Sequence, residues 1–347
     1  MEKTGSLRKP TIYTADWHLT DMPRDAYRWD FTTWLAGKIK VHNVKRLVIL
    51  GDLTDRKDAH GAMLVNRVVE MLHHWASTYD LQVILLRGNH DYIDPSCPYF
   101  RFLDAIPGLH YVVNPEEFHI DGQYTLLLPH SREPEHEWVI KPGIYDRVLM
   151  HQMVLGVRAR SGKELPGINQ TVFKDIPWIM SGDIHEPQQI GKVIYVGAPY
   201  PIIFGDNYVG RIILEKPDGR LISMHVPAPR KERAVVKSMD ALRLKGFAKE
   251  DHVSVVVELP REDFVLWPKI REKVFTWAKQ TKVVLYGVEL QEYQRPHLEV
   301  DGPTIEGGCC PTEIFDRFCV ARSIAPRMRS LGLSFLEIKD EDKEDCF

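Results

Sequence analysis

The first hundred residues alternate short apolar runs with longer amphipathic stretches. Residues 47–50 and 83–86 are continuous apolar runs, and residues 11–14 form a short β-prone run leading into Ala15-Asp16. Strands that are apolar on both faces belong inside a layered sheet, covered from both sides. Between them, Tyr27, Phe31, Trp34, Leu35 and Ile39 recur at helical spacing, and residues 63–75 read as a second amphipathic helix. This β–α–β–α–β order predicts a layered α/β sheet. Later runs at residues 124–128, 147–150, 178–180, 193–196 and 211–214 are separated by few long helices. They predict a second, mixed or antiparallel sheet packed on the first, an α/β/β/α sandwich.

The rhythm changes after Pro227-Ala228-Pro229-Arg230. A strand at 253–259, a helix at 262–279 and a strand at 283–288 predict a small α/β unit, short enough to need support from the main body. A Gly/Pro-rich stretch at 301–311 leads to a helix at 312–331, in which Pro326 predicts a kink or a helix–turn–helix. The expected division is a sandwich domain over 1–228, a capping domain over 229–300 and a C-terminal segment over 301–347.

Composition narrows the class. Of 347 residues, 44% are apolar and 27% charged, as in ordinary soluble globular chains. No apolar run approaches the ~18 residues of a membrane span, so no membrane partner is expected. The first ten residues carry basic side chains with no apolar stretch behind them, which predicts no secretory signal and a cytoplasmic location. Five cysteines, Cys97, Cys309, Cys310, Cys319 and Cys346, include no C-x-x-C pair and read as reduced thiols. A net charge of −3 means that any nucleic-acid binding must come from a local basic patch or from metal ions.

The candidate chemistry sits where the strands end. Asp16-Trp17-His18, Gly51-Asp52-Leu53-Thr54-Asp55 and Gly88-Asn89-His90-Asp91 follow the first three strands. His151 and Gly182-Asp183-Ile184-His185 follow two later ones. Open α/β sheets place ligands along this edge. Asp, His and Asn together offer hard oxygens and borderline nitrogens, a mixture suited to manganese, iron or zinc. Asp16 and His18, two apart on an extended segment, can reach one ion, and Asp52 can bridge two. Two ions about 3.5–4 Å apart hold a phosphate and lower the pKa of a bound water. His90 can then protonate or stabilise the leaving oxygen. Each motif alone is weak, but five in order, each at a strand end, form a pattern.

That pattern resembles the calcineurin-like metallophosphoesterase family: D-x-H, G-D-x-x-D, G-N-H-D, a lone His, then G-H-x-H. The resemblance covers roughly the first 225 residues. Ala15-Asp16-Trp17-His18-Leu19, Val196-Gly197-Ala198-Pro199-Tyr200 and Phe204-Gly205-Asp206 are similar to segments of its SbcD-type DNA exonuclease branch. The resemblance implies one ion on Asp16, His18, Asp52 and His185, and a second on Asp52, Asn89, His151 and Asp183. It implies His90 as the catalytic histidine and Asp55 and Asp91 as residues that orient the ligands. Asp183 departs from the family pattern, which has His there. The cofactors implied are two divalent ions, manganese first and magnesium as the alternative. The partners implied are DNA and an SbcC-type coiled-coil ATPase, and a homodimer is compatible with the same reading.

The function expected is therefore a metal-dependent DNA nuclease within an SbcCD-like complex serving DNA repair, recombination or replication. One alternative keeps the chemistry on a nucleotide or phosphoprotein, and another is an inactive phosphoesterase-fold scaffold. Arg158, Arg160 and Lys163 offer a DNA backbone contact or merely a solvated loop, and Arg230, Lys231 and Arg233 share that ambiguity. Trp267 and Trp277 read as core. The helix at 312–331 reads either as a partner-docking element or as one that packs on its own domain.

Overall fold

The computed structural model describes residues 8–158, 162–206 and 208–293, together with 315–316, 318–320, 322 and 324–331. In chain order, β1 (Thr11–Thr14), helix α1 (Ala26–Val41), β2 (Arg46–Ile49), helix α2 (Ala62–Thr78), β3 (Gln82–Leu86) and β4 (Leu109–Val112) come first. Next are β5 (Glu116–Ile120), β6 (Gln123–Leu128), the one-turn helix α3 (Pro134–Glu137), β7 (Arg147–His151), β8 (Ile179–Gly182), β9 (Gln188–Ile190) and β10 (Val193–Tyr195). Strands β11 (Arg211–Glu215) and β12 (Leu221–His225) follow. The last part holds β13 (Lys231–Val236), α4 (Met239–Leu244), β14 (His252–Leu259), α5 (Trp267–Thr281) and β15 (Val284–Glu292).

Two six-stranded sheets stack face to face, with orders β12-β11-β1-β2-β3-β4 and β5-β6-β7-β8-β10-β9. The first is parallel from β1 to β4 with an antiparallel edge, and the second is parallel from β6 through β10. Side-chain alternation builds the layers. Val48, Leu50, Ile84 and Leu86 point between the sheets at Leu127, Leu149 and Met180. Leu47, Ile49, Val83 and Leu85 point outward under α1 and α2. The stripe on α2 is Leu64, Val68, Leu72 and Trp75, spaced for one face of a helix. Each buried Leu or Ile here, cut back to Ala, would cost roughly 2–5 kcal/mol.

The expected sandwich is present, with one adjustment. The outer face of the second sheet is covered mainly by irregular segments that bring Trp138, Ile168, Phe173 and Ile176 onto Val148, Met150 and Ile179. Its helices are short, α3 and a 3-10 turn at Gln170–Phe173.

The small parallel sheet β13-β14-β15 has its own core of Ala234, Val236, Val253, Val255, Val274 and Trp277. It belongs to the same compact unit as the sandwich, spanning 1–292, while 293–347 forms a second unit. In that second unit, Phe315, Asp316 and Phe318–Val320 are helical, Ile324 and Ala325 are not, and helix resumes at Pro326. Proline is tolerated at the first position of a helix, where its missing N–H is not needed. Arg329 pairs with Asp316 across the break. The remaining positions of the expected 312–331 helix, and Cys309, Cys310 and Cys346, lie outside the described residues. No helix among the described residues is long and apolar enough to cross a membrane.

The basic run at the junction is occupied internally. Arg230 pairs with Asp251 and Arg233 with Glu289. Lys231 is buried; its Nζ donates to the Ile202 carbonyl at 2.6 Å and lies over the rings of Phe204 and Tyr286. Burial, reinforced by the Arg28 charge and opposed by Asp25 and Asp206, pushes its pKa down to about 8. The unfolded chain holds that proton up to about pH 10.4. Charged Lys231 therefore opposes folding below about pH 8, and the penalty fades as pH rises towards 10.4. We expect the unfolding free energy of the wild type to gain on that of Lys231→Met between pH 8 and 10, by on the order of 2–3 kcal/mol. Parallel denaturation curves across that range would rule out the assignment.

Candidate metal centre

Backbone pairing continues past the ends of β1 and β2. Asp16 N donates to the Gly51 carbonyl at 3.1 Å, His18 N to Asp52 at 3.0 Å and Leu19 N to Leu53 at 3.0 Å. The two polar motifs are thereby held side by side. Asp16, His18, Asp52 and Asp183 all adopt left-handed φ, between 45° and 76°. Such conformations cost of order 1–3 kcal/mol each in a non-glycine residue and persist only where the surroundings impose them.

The neighbouring glycines are dictated by space. A Cβ on Gly88 would lie 2.2 Å from Asp52 Oδ1, and one on Gly182 would lie 2.2 Å from the Leu50 carbonyl oxygen. Asp91, 1% exposed, organises the turn: its carboxylate accepts from Gly88 N, Asp52 N and Leu53 N at 2.7, 3.0 and 3.1 Å. Burial first, and then the charge of Asp52, raise its pKa to about 6.

The expected side chains converge. Asp16, His18 and His185 form one group whose ligand atoms lie within 4.8 Å of one another; Asp16, Asp52 and His151 form another, and His18, Asp52 and His90 a third. His18 Nε2 is 3.2 Å from His185 Nε2 and 3.5 Å from Asp52 Oδ2. His151 Nε2 is 3.5 Å from Asp52 Oδ1 and 3.8 Å from Asp183 Oδ1. The Asp183 carboxylate thus faces His151, although it belongs to none of the three tight groups, and its backbone N donates to Asp16 Oδ1 at 3.1 Å.

Several contacts fit a cation at this place. His18 and His185 bring two ring nitrogens together, and burial lowers the pKa of both. The inner atom of the Asn89 amide lies 3.0–3.1 Å from both Asp52 oxygens and from His151 Nε2. With the carbonyl oxygen inward, it faces acceptors alone; with the amide reversed, it donates to all three. Asp16 Oδ2, Asp183 Oδ2 and His18 Nδ1 are buried without hydrogen-bond partners. Burial raises the pKa of Asp16 and Asp52, as expected of carboxylates gathered away from water. For His151, burial acts downward, but Asp52, Asp183 and Asp16 outweigh it and hold the ring up to about 9. Hard oxygens and lone-pair nitrogens arranged in this way fit divalent metal.

Two histidines have their ring orientation fixed from outside. His151 Nδ1 donates to the Leu50 carbonyl at 2.5 Å, leaving Nε2 for the centre. His90 N donates to Asp52 Oδ1 at 2.8 Å, and His90 Nδ1 donates to the Asp55 carbonyl at 2.7 Å. Asp55 therefore steadies His90 through its backbone. Its carboxylate is partly exposed and lies 3.7 Å from His18 Nδ1.

Sequence reasoning missed three supports. Arg28 is buried behind the centre; its Nη1 donates to the His18 carbonyl, and its guanidinium lies 3.6 Å from Asp55 and 3.9 Å from Asp25. The signal was present, because Arg28 falls on the buried stripe with Thr32, Leu35 and Ile39. Arg87 is buried and donates to the Pro95 and His130 carbonyls at 2.8 and 2.7 Å. Tyr200 donates its hydroxyl to the Trp17 carbonyl. Of the basic residues read as either a DNA contact or a solvated loop, Arg158 and Lys163 are exposed and Arg160 lies outside the described residues. Trp277 is core, and Trp267 packs against the same cluster.

No curated protein matches the sequence. A solved structure described as a novel archaeal phosphodiesterase covers 62% of this chain and 99% of its own length, at 14% identity and a TM-score of 0.37. Residues 9–187 match the family described as calcineurin-like phosphoesterase. That is just over half of the 347 residues, and it contains every side chain gathered at the strand ends. The chain belongs to the calcineurin-like phosphoesterase family, metal-dependent hydrolases of phosphoesters.

Proposed function

We propose that the chain is a metal-dependent DNA nuclease, the phosphodiester-hydrolysing subunit of an SbcCD-like complex. The observation that carries this reading is the segment Val196-Gly197-Ala198-Pro199-Tyr200 with Phe204-Gly205-Asp206, which joins the centre to the small sheet. Tyr200 holds the Trp17 carbonyl, between Asp16 and His18. The Ile202 carbonyl accepts from Lys231, and Phe204 packs on Tyr286, both in the small sheet. Asp206 Oδ2 accepts from Ile202 N and Ile203 N at 2.8 and 2.9 Å, closing the turn. The SbcD-type reading pairs this segment with a capping unit, and the small sheet stands in that place.

Asp16, His18, Asp52 and His185 would hold one ion, and Asp52, Asn89, His151 and Asp183 a second. Bound divalent ions supply Lewis-acid stabilisation of the phosphoryl oxygens and activation of a water. The protein contributes orientation. The Leu50 carbonyl keeps His151 Nε2 turned inward, and Asp91 sets the backbone under Asp52. His90, anchored through Nδ1, keeps Nε2 available to the leaving oxygen, with its backbone fixed on the Asp52 carboxylate. Asp183 in place of His adds a negative charge and a hard oxygen, which favours manganese or magnesium over zinc.

His90→Ala should abolish manganese-dependent cleavage of DNA while leaving metal content near wild type, as measured by elemental analysis. Asp52→Ala should lose activity and metal together. Near-normal turnover in His90→Ala would remove the catalytic assignment. Activity on nucleotides or phosphoproteins without activity on DNA would favour the small-substrate alternative.

For Asp183, metal titration should show weaker binding of one equivalent in Asp183→Asn and weaker still in Asp183→Ala. Asp183→His should restore that equivalent with a shift towards zinc. Unchanged stoichiometry and manganese dependence in Asp183→Ala would show that the residue is not a ligand.

The segment beyond Pro311 is proposed to dock an SbcC-type ATPase. Truncation there should abolish co-purification with the ATPase and spare manganese-dependent hydrolysis of small phosphodiesters. Continued co-purification of the truncated chain would refute the docking role.

A further inference from the structure

Arg132 lies on the segment that leaves β6 and is linked to the centre through Tyr92 and His130. Its side chain is exposed, yet it is held in place. The guanidinium carbon lies 5.2 Å from the centroid of the Tyr92 ring, and Nη2 donates to the Ile93 carbonyl at 3.0 Å. Tyr92 itself is 1% exposed and is fixed by a 2.9 Å hydrogen bond between its hydroxyl and His130 Nδ1. The buried Arg87 guanidinium lies 4.4 Å from the same ring and ties the Pro95 and His130 carbonyls together. The His130 ring is 6.0 Å from that of His151. Arg132 is thus one aromatic ring removed from the loop that carries Asn89 and His90.

Its charge has no carboxylate in direct contact among the described residues and is offset only at longer range by Asp94. Among the described residues Arg132 forms no ion pair; the guanidinium contacts are the Tyr92 ring and the Ile93 carbonyl. Asp94, the acid that senses its charge, commits Oδ1 to Ser96 N and Oγ at 2.9 and 2.7 Å. An exposed arginine ordinarily loses considerable side-chain entropy when it grips a ligand. Stacking on a buried ring lowers that loss in advance, and a planar fork of N–H donors matches phosphate oxygens better than a lysine does.

A hydrolytic centre handles one phosphate, the scissile one. An anchored, exposed guanidinium linked to that centre through Tyr92 and His130 suits a second phosphate joined to the first by a nucleotide. We propose that Arg132 is a substrate-positioning residue that holds a backbone phosphate flanking the scissile bond, so that the centre favours a polynucleotide over a mononucleotide or small diester. The inference rests on the nuclease reading and adds to it a determinant of substrate class.

The test uses the full chain, manganese and single-stranded oligodeoxynucleotides. Arg132→Gln keeps a donor for the Ile93 carbonyl and removes the charge. It should raise KM about tenfold, the size of one charge-assisted hydrogen bond, and leave kcat within about twofold. The slope of log KM against log salt should fall by about 0.7, the share of one phosphate contact on a single strand. Arg132→Lys should restore the salt slope but only part of KM, because the fork is lost. In the wild type, a neutral methylphosphonate at the flanking position should reproduce the rise in KM, and combining it with Arg132→Gln should add little.

Full additivity of the two changes, or an unchanged KM and salt slope in Arg132→Gln, would overturn the proposal while leaving the nuclease reading in place. A loss confined to kcat would overturn it as well, since it would place Arg132 in the chemistry. If the wild type hydrolyses bis(p-nitrophenyl) phosphate but no oligonucleotide, the nuclease reading fails and the inference falls with it.

Discussion

Everything at the strand ends depends on one electrostatic constraint: carboxylates and imidazole lone pairs are packed together where little water reaches. Asp16, Asp52 and His151 are between 0% and 2% exposed, and Asp183 turns its carboxylate to the same place. Burial first, and then the neighbouring carboxylates, raise the pKa of Asp16 and Asp52 against the opposing pull of His151. The fold holds them there through tight backbone pairing between the extensions of β1 and β2, a buried Asp91 under the second loop, and glycines where no Cβ fits. The hydrophobic layers behind supply the rigidity. A divalent cation held among these groups would offset the cost of gathering the carboxylates away from water.

Much of this was legible in the chain itself. Strand ends carrying Asp-x-His, Gly-Asp and Gly-Asn-His-Asp are conspicuous because a strand or helix has little use for them, and the structure brings those side chains within a few ångströms. The supports were harder to see. Arg28 looks like one more charged residue on a helix, and only its phase on the buried stripe gives it away. Asp55 works through a carbonyl, which no side-chain pattern can encode. Strand β13 was hidden by its charges: Arg230, Lys231 and Arg233 read as a DNA contact or a solvated loop, although Lys231, Ala234 and Val236 point inward.

The small sheet is more than an appendage in physical terms. Tyr286 donates to Asp25 Oδ1 at 3.1 Å, and Asp25 lies beside Arg28, whose guanidinium grips the His18 carbonyl. His252 packs edge-on against Tyr27, and Arg28 Nε reaches the Tyr27 hydroxyl. A side chain in β15 is therefore connected to a residue of the centre through two intermediates. Polar chains of this kind at an internal boundary are costly when half satisfied, so the two surfaces are held to one mutual arrangement.

The Asp183 carboxylate has a consequence at the end of the reaction cycle. Hydrolysis of a phosphodiester leaves a monoester whose second ionisation lies near neutrality, so the product carries more negative charge than the bond that was cut. A centre lined by one carboxylate more than an imidazole-based counterpart holds that dianion less firmly. On the proposed nuclease reading, weaker retention of the severed end would shorten the dwell between successive cuts. A carboxylate at position 183 would then bear on how soon the site is vacated as well as on which ion fills it.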